Sequence, residues 1–198
     1  MNRPNASNPS GWQRHVRDIG ELLAGLSCTN RTGQALAPDD GFRTWKQAAE
    51  ACRTAQRAIY LIGNGASASM ASHFAADLAK NAHLHTEVFS DLSLVTAIAN
   101  DLGYENVFSE PLSRRAQAGD MLVAISSSGR SPNVLKAVKV AREFKLTVVT
   151  LSGMDGGNPL RAAGDLNFYV PAESYGYAET CHSSILHHWM DMFVEPAG

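Results

Sequence analysis

Two stretches of this chain carry residue types that do chemistry. In the first, the apolar run Ile59-Tyr60-Leu61-Ile62 breaks at Gly63-Asn64-Gly65-Ala66-Ser67 and resumes as a helix-like segment with His73 and Asp77. Residues four apart share one helical face, so this segment pairs an imidazole with a carboxylate, two groups capable of acid–base work. The glycines let the backbone turn tightly and approach a ligand, and the helix that follows offers unpaired N–H groups to an anion. The second stretch is Ser126-Ser127-Ser128-Gly129-Arg130-Ser131-Pro132, a hydroxyl-rich turn closed by a proline that suits the first turn of a helix. Hydroxyls and N-terminal amides hold a phosphate without a lysine, because a helix N-terminus carries partial positive charge. An ordinary serine-rich cap and turn is the alternative. Four serines around one glycine at a strand-to-helix junction favour the anion site. Gly63–Ser67 does not fit the GxGxxG pattern of dinucleotide sites, and the lack of Gly-Lys-Ser/Thr excludes a P-loop. The two loops together point to a phosphorylated small molecule.

The elements that must position these loops alternate. Strands are predicted over residues 58–62, 86–89, 121–125, 147–151 and 166–170. Helices are predicted over 69–81, 92–100, 107–117, 132–144, 159–163 and 178–193. Strand–helix alternation implies right-handed βαβ units and a mostly parallel sheet covered on both faces. In such sheets ligands bind beyond the carboxyl ends of the strands, which puts chemistry in the loops after Ile62, Ile125 and Leu151. Upstream, Trp12–Leu26 places Val16, Ile19, Leu22, Leu23 and Leu26 on one helical stripe, and residues 41–57 form a weaker helix. The polar stretch Cys28–Asp40 reads as a loop, and Met1–Ser10, rich in Asn, Pro and Ser, as a loosely attached tail. The domain expectation is 1–41 for a tail and helix and 42–198 for one α/β domain.

With 198 residues, 44% of them hydrophobic, the chain can bury one sizeable core. A formal net charge of -2 argues against a broad nucleic-acid footprint. No long apolar span and no apolar signal core occur, so no membrane partner is expected and the cytoplasm is the expected compartment. Cys28, Cys52 and Cys181 are widely spaced with no CxxC, which predicts buried thiols rather than a disulfide framework.

The residues GNGAS with HFAADL, and ISSSGRSPNVLKA, resemble the SIS (sugar isomerase) domain family, and within it the phosphoheptose isomerases. Residues 90–93, 99–104, 149–157 and 175–179 also fit, and the likeness runs over roughly residues 42 to 194, one domain's length. The resemblance implies a flavodoxin-like αβα sandwich around a five-stranded parallel sheet, assembled as a homotetramer with active sites at subunit interfaces. It implies that Ser67, Ser126, Ser127, Ser128 and Ser131 contact the sugar phosphate, with Asn64 and Asp101 on the sugar. It further implies a zinc ion held by His73 and Asp77 and by two residues of the last helix. One alignment makes these Glu179 and His187, which fall with Ser183 along one stripe. The other matches Glu179 to a substrate-contacting Asp and makes His182 a ligand candidate. Asp77 is then the base and His187 the acid of an aldose–ketose isomerisation.

Three departures from the family pattern bear on this. Asp77 stands where Glu is usual, Met70 where an acid is usual, and Ala66 where a second glycine is usual. A catalytic group displaced by about 1 Å can lose about a hundredfold in rate. The rival reading is therefore a non-catalytic SIS protein that binds a sugar phosphate or a protein partner. His83 and His85 read as ordinary loop or strand residues, and Lys80, Arg114 and Arg130 as solvent charges, one of which could close over a phosphate.

Overall fold

The computed structural model describes residues 11–194. The expectation for Met1–Ser10 lies outside the described residues. The chain forms α1 (Gly11–Ala24), β1 (Ser27–Asn30), β2 (Ala35–Leu36), α2 (Pro38–Thr54), β3 (Ile59–Gly63), α3 (Ala66–Ala82), β4 (Thr86–Val88) and α4 (Leu92–Leu102). It continues with a 3-10 turn at Tyr104–Asn106, α5 (Ser109–Arg115), β5 (Met121–Ser126), α6 (Pro132–Glu143), β6 (Thr147–Gly153), a second 3-10 turn at Pro159–Ala162, β7 (Leu166–Val170) and α7 (Tyr175–Asp191).

All described strands join one sheet in the order β2-β1-β7-β6-β5-β3-β4. The five expected strands are present and mutually parallel. The sheet has seven strands rather than five, because β1 and β2 extend it antiparallel beyond β7. The stretch expected to be a loop from Cys28 to Asp40 therefore holds a hairpin. Its turn is organised by the Asn30 side chain, which accepts the Thr32 and Gln34 N–H groups at 3.0 Å each, and by Gly33 at φ +80°. An Asn carboxamide that mimics backbone in this way is a turn device in its own right.

Side chains along each strand alternate between two cores, as a period of two requires. Ile59, Leu61, Val123 and Ile125 face a core built with α2, α3 and α7. Tyr60, Ile62, Leu122 and Ala124 face a second core built with α4, α5 and α6. In the first, Trp45 of α2 stacks on Trp189 of α7 with ring centroids 3.9 Å apart and the planes 11° from parallel. Cys28, Cys52 and Cys181 are buried and unpaired, as expected, and burial raises the Cys28 and Cys52 thiols to about 11. Helix α1 buries none of its residues. Trp12 is 73% exposed and Val16 52% exposed, and the helix is held by Leu22 and Leu23 packed against the first core, by His15 stacked on Tyr177 and by Asp18 accepting the Tyr177 hydroxyl at 3.3 Å. Among the described residues, no helix is long and apolar enough to cross a membrane.

This strand order decides where a ligand goes. After β3 the chain first adds β4 on one side and then β5, β6 and β7 on the other. The carboxyl ends of β3 and β5 thus flank the switch point at which crossovers leave the sheet in opposite directions, and a crevice opens there.

Candidate active site

The crevice is lined by Asn64 and Ser67 from the β3–α3 turn, by Ser126, Ser127, Ser128 and Ser131 from the β5–α6 turn, and by Tyr175 and Glu179 from the start of α7. Three helix N-termini meet it: Ser67 lies in the first turn of α3, Ser131 is the N-cap residue of α6, and Tyr175 opens α7. Each supplies backbone N–H groups with no partner inside its helix. Among the described residues, no Lys or Arg lines the cavity. The nearest basic residue of the serine loop, Arg130, turns outward into an ion pair with Asp155. An anion here would be held by amide dipoles and hydroxyls, as the serine pattern suggested.

The serine loop is rigid because a second loop braces it. Gly129 adopts φ +61°, and its carbonyl accepts the Leu160 N–H at 3.2 Å. Asn158, buried beneath it, donates to Gly153 O at 3.1 Å and Asp155 O at 2.8 Å and accepts the Arg161 N–H at 2.9 Å. Ser126 and Ser131 hydroxyls lie 3.2 Å apart across the turn.

A groove leads from the cavity between α3 and α7. Ala66, Ser69 and Met70 form one wall and Glu179, Ser183 and His187 the other, so Glu179 belongs to both cavity and groove. Beyond it the His73 and His187 rings meet edge-on with centroids 5.8 Å apart and planes inclined by 64°, and His73 Nε2 lies 3.4 Å from Asp77 Oδ2. Phe74 meets His187 edge-on at 4.7 Å and sets the floor of this pair. The imidazoles and carboxylates are suitable zinc donors in kind. As arranged they do not fit a single ion, because among the described residues no three His, Cys, Asp or Glu groups gather at one point.

Two expected residues stand elsewhere. Asp101 accepts the Asn100 side-chain amide at 2.8 Å and lines an outer groove with Leu94 and Arg114, between α4 and α5, away from the serine cavity. His182, the alternative ligand, is wholly buried on the core side of α7, and neither ring nitrogen has a hydrogen bond of normal geometry. Burial lowers its pKa to about 4 from 6.5, against a weaker opposing pull from the Ser152 carbonyl. Inside, the ring stays neutral over a range where the unfolded chain would take up a proton. Stability should therefore fall as pH drops through the window from 6.5 to about 4. The full loss is on the order of 3 kcal/mol. Urea unfolding at pH 7, 5.5 and 4.5 checks this, with His182→Leu expected to flatten the slope.

Three residues were missed from sequence. Tyr175 lines the cavity, and Asn133 and Tyr104 hydrogen-bond Asn64. Asn133 follows Pro132 and looks like any polar residue in a first helical turn. Tyr104 lies far along the chain in a segment without periodicity.

The comparisons agree with this geometry. A family model described as SIS domain matches residues 42–153. The chain belongs to the SIS domain family. A phosphoheptose isomerase from Helicobacter hepaticus is 39% identical over 146 residues, which is 71% of this chain and 74% of that protein. A second, from Shewanella denitrificans, is 36% identical over 144 residues, 69% of this chain and 74% of its own length. Among solved structures, the phosphoheptose isomerase of Neisseria gonorrhoeae superposes with a TM-score of 0.79 at 30% identity, covering 92% of this chain and 97% of that one. In this SIS chain the serine-lined cavity lies at the switch point of the sheet.

Proposed function

We propose that this SIS protein is a phosphosugar isomerase that interconverts sedoheptulose 7-phosphate and D-glycero-D-manno-heptose 7-phosphate through an enediol. The observation that carries the reading is a serine-lined cavity joined by one groove to His187, whose ring meets that of His73 edge-on with the Asp77 carboxylate beside it. The relatives named phosphoheptose isomerase support the same assignment. Distance supports a long substrate. Six residues of α3 separate Ser67 at the cavity from His73, roughly 9 Å at the helical rise. A seven-carbon chain with a terminal phosphate, at about 1.5 Å per bond along a zigzag, spans a similar length. A triose phosphate is too short to touch both ends.

In the proposed reaction the serine loop and the helix N-termini anchor the phosphate, and the groove extends the carbon chain toward His187. Asp77 removes a proton from C1 of the ketose, and the C1–H electrons form the C1–C2 double bond. His187 gives a proton to the C2 oxygen, completing the enediol. His187 then takes the O1 proton as the C1 carbonyl forms, and the C1–C2 double-bond electrons take the proton from Asp77 at C2, which restores both residues. His73, 3.4 Å from Asp77, orients that carboxylate. No step is assigned to zinc. That zinc binds here is a separate proposal, which requires donors of α7 to move toward His73, and metal analysis of the purified protein tests it. About one zinc per chain, lowered by His73→Ala, supports it, and none removes it. We further propose a cytoplasmic homotetramer, which sedimentation of the purified chain tests for assembly.

Proton exchange of sedoheptulose 7-phosphate in D₂O, followed by NMR, tests the reaction. Deuterium entering the carbons next to the carbonyl, with aldose appearing, is the expected result. A second reading has an observation of its own: the cavity is intact while the metal donors stand apart and Met70 occupies the groove wall. Tight binding of the sugar phosphate without exchange would establish that reading, a binding protein, instead.

A further inference from the structure

We propose that Asn133 and Tyr104 are positioning residues that make Asn64 a donor only, so that the site presents a fixed N–H to an acceptor oxygen of the bound sugar phosphate. This rests on the isomerase reading for its ligand, not for its geometry. The chain of reasoning begins at a bond whose direction is not free. The Val134 backbone N–H can only donate, and it donates to Asn133 Oδ1 at 3.0 Å. That sets the Asn133 carboxamide, whose Nδ2 then faces Asn64 and donates to Asn64 Oδ1 at 2.8 Å. Asn64 Nδ2 answers by donating to Asn133 Oδ1 at 3.0 Å. The Tyr104 hydroxyl donates to the same Asn64 Oδ1 at 3.1 Å.

An amide oxygen has two lone pairs and an amide nitrogen two hydrogens. Both acceptor positions of Asn64 are taken, and one N–H remains on a residue that lines the serine cavity. The serine hydroxyls around it can rotate to donate or accept. Asn64 cannot flip, because a flip would set its oxygen against Asn133 Oδ1 and its nitrogen against Asn133 Nδ2. Asn133 is 2% exposed, so water does not repair such a mismatch. The ligand oxygen opposite Asn64 is therefore one that accepts, as an ionised phosphate or a sugar oxygen does. Neither Asn133 nor Tyr104 lines that cavity, so both act through Asn64.

The test is a mutant cycle read as kcat and KM for sedoheptulose 7-phosphate, with its dissociation constant from calorimetry. Tyr104→Phe is the safe variant for folding, since Tyr104 is 55% exposed. Asn133→Asp keeps shape and the bond from Val134 but loses the donor to Asn64. Each lost bond should raise KM by about three- to tenfold, the range of one hydrogen bond. The value of kcat should stay within about twofold, as for lost uniform binding. In an Asn64→Ala background neither change should move KM by more than about twofold, because the residue they act through is gone. Asn64→Asp, the same shape without a donor, should bind more weakly than Asn64→Ala. Additive losses in the Asn64→Ala background, or an Asn64→Asp variant that binds as well as Asn64→Ala, would overturn the proposal. If the parent neither binds nor converts the heptulose phosphate, the isomerase reading fails. The same cycle on inorganic phosphate must then show the same non-additivity, or this proposal fails as well.

Discussion

His187→Ala should bind sedoheptulose 7-phosphate about as tightly as the parent and turn it over about 10²- to 10⁴-fold more slowly, the usual worth of a positioned acid or base. Affinity should survive because His187 is not among the residues that line the serine cavity, the proposed anchor of the phosphate. It stands at the far end of the α3–α7 groove, opposite His73. Folding should survive too, since the residue is exposed and its ring contacts are edge-on ones with Phe74 and His73. Calorimetry and single-turnover kinetics on one preparation separate the two effects. A variant that loses binding and rate in equal proportion would show that His187 grips the substrate rather than moving a proton. An unchanged rate would remove the isomerase mechanism from this residue altogether. Asp77→Asn makes the complementary check at the base, with the same expected split.

The second large effect is expected at Gly129→Ala, and here binding itself should collapse. Gly129 sits at φ +61°, where an L side chain costs roughly 1–2 kcal/mol. An added methyl would overlap the Asn158 amide oxygen and approach its Cβ at 2.9 Å. Asn158 cannot step aside cheaply, because it is buried and holds the Gly153 and Asp155 carbonyls and the Arg161 N–H. Breaking that set of bonds adds about 1 kcal/mol for each, so the total reaches about 4–5 kcal/mol. Part of that strain would be relieved by displacing the serine loop. A fall of at least about a hundredfold in kcat/KM is expected, in line with the cost of misplacing site groups by about 1 Å. Denaturant midpoints and phosphate binding measure the two parts. Gly129→Ala with normal binding would mean that the brace between the two loops is unimportant to the cavity.

Much of this arrangement was legible in the chain. Strand–helix alternation placed all five parallel strands, with glycine closing the apolar run of β3, and Pro132 at a first helical turn placed α6. The hairpin of β1 and β2 escaped because its residues carry no strand signal. Ser27-Cys28-Thr29-Asn30 is polar, β2 is two residues long, and only Cys28 of the pair is buried. Those strands exist because the edge of β7 offered hydrogen bonds to whatever segment passed it, which is a tertiary circumstance. Helix α3 begins three residues earlier than periodicity suggested, since Ala66 and Ser67 continue it directly from Gly65 at φ 56°.

The sequence by itself determined the strand–helix alternation, and with it the turns after β3 and β5 that hold Asn64, Ser67 and the four serines. Such features are local: a hydrophobic period, a glycine, a proline and a row of hydroxyls mean nearly the same thing in any α/β chain. Only the tertiary structure decided which polar side chains join them. His182 and Ser183 are neighbours, yet one is sealed in the core and the other lines the groove. Successive residues on a helix differ by about 100° in direction, so the rotation of α7 against the sheet sorts them. The same rotation brings Glu179 to the cavity, while the placement of α4 keeps Asp101 on another surface. Asn133 acquires its meaning only when α6 sets it against a turn sixty-nine residues away. Packing of one element on another fixes these rotations, and it depends on the complementary shape of both surfaces, which no single segment of the chain contains.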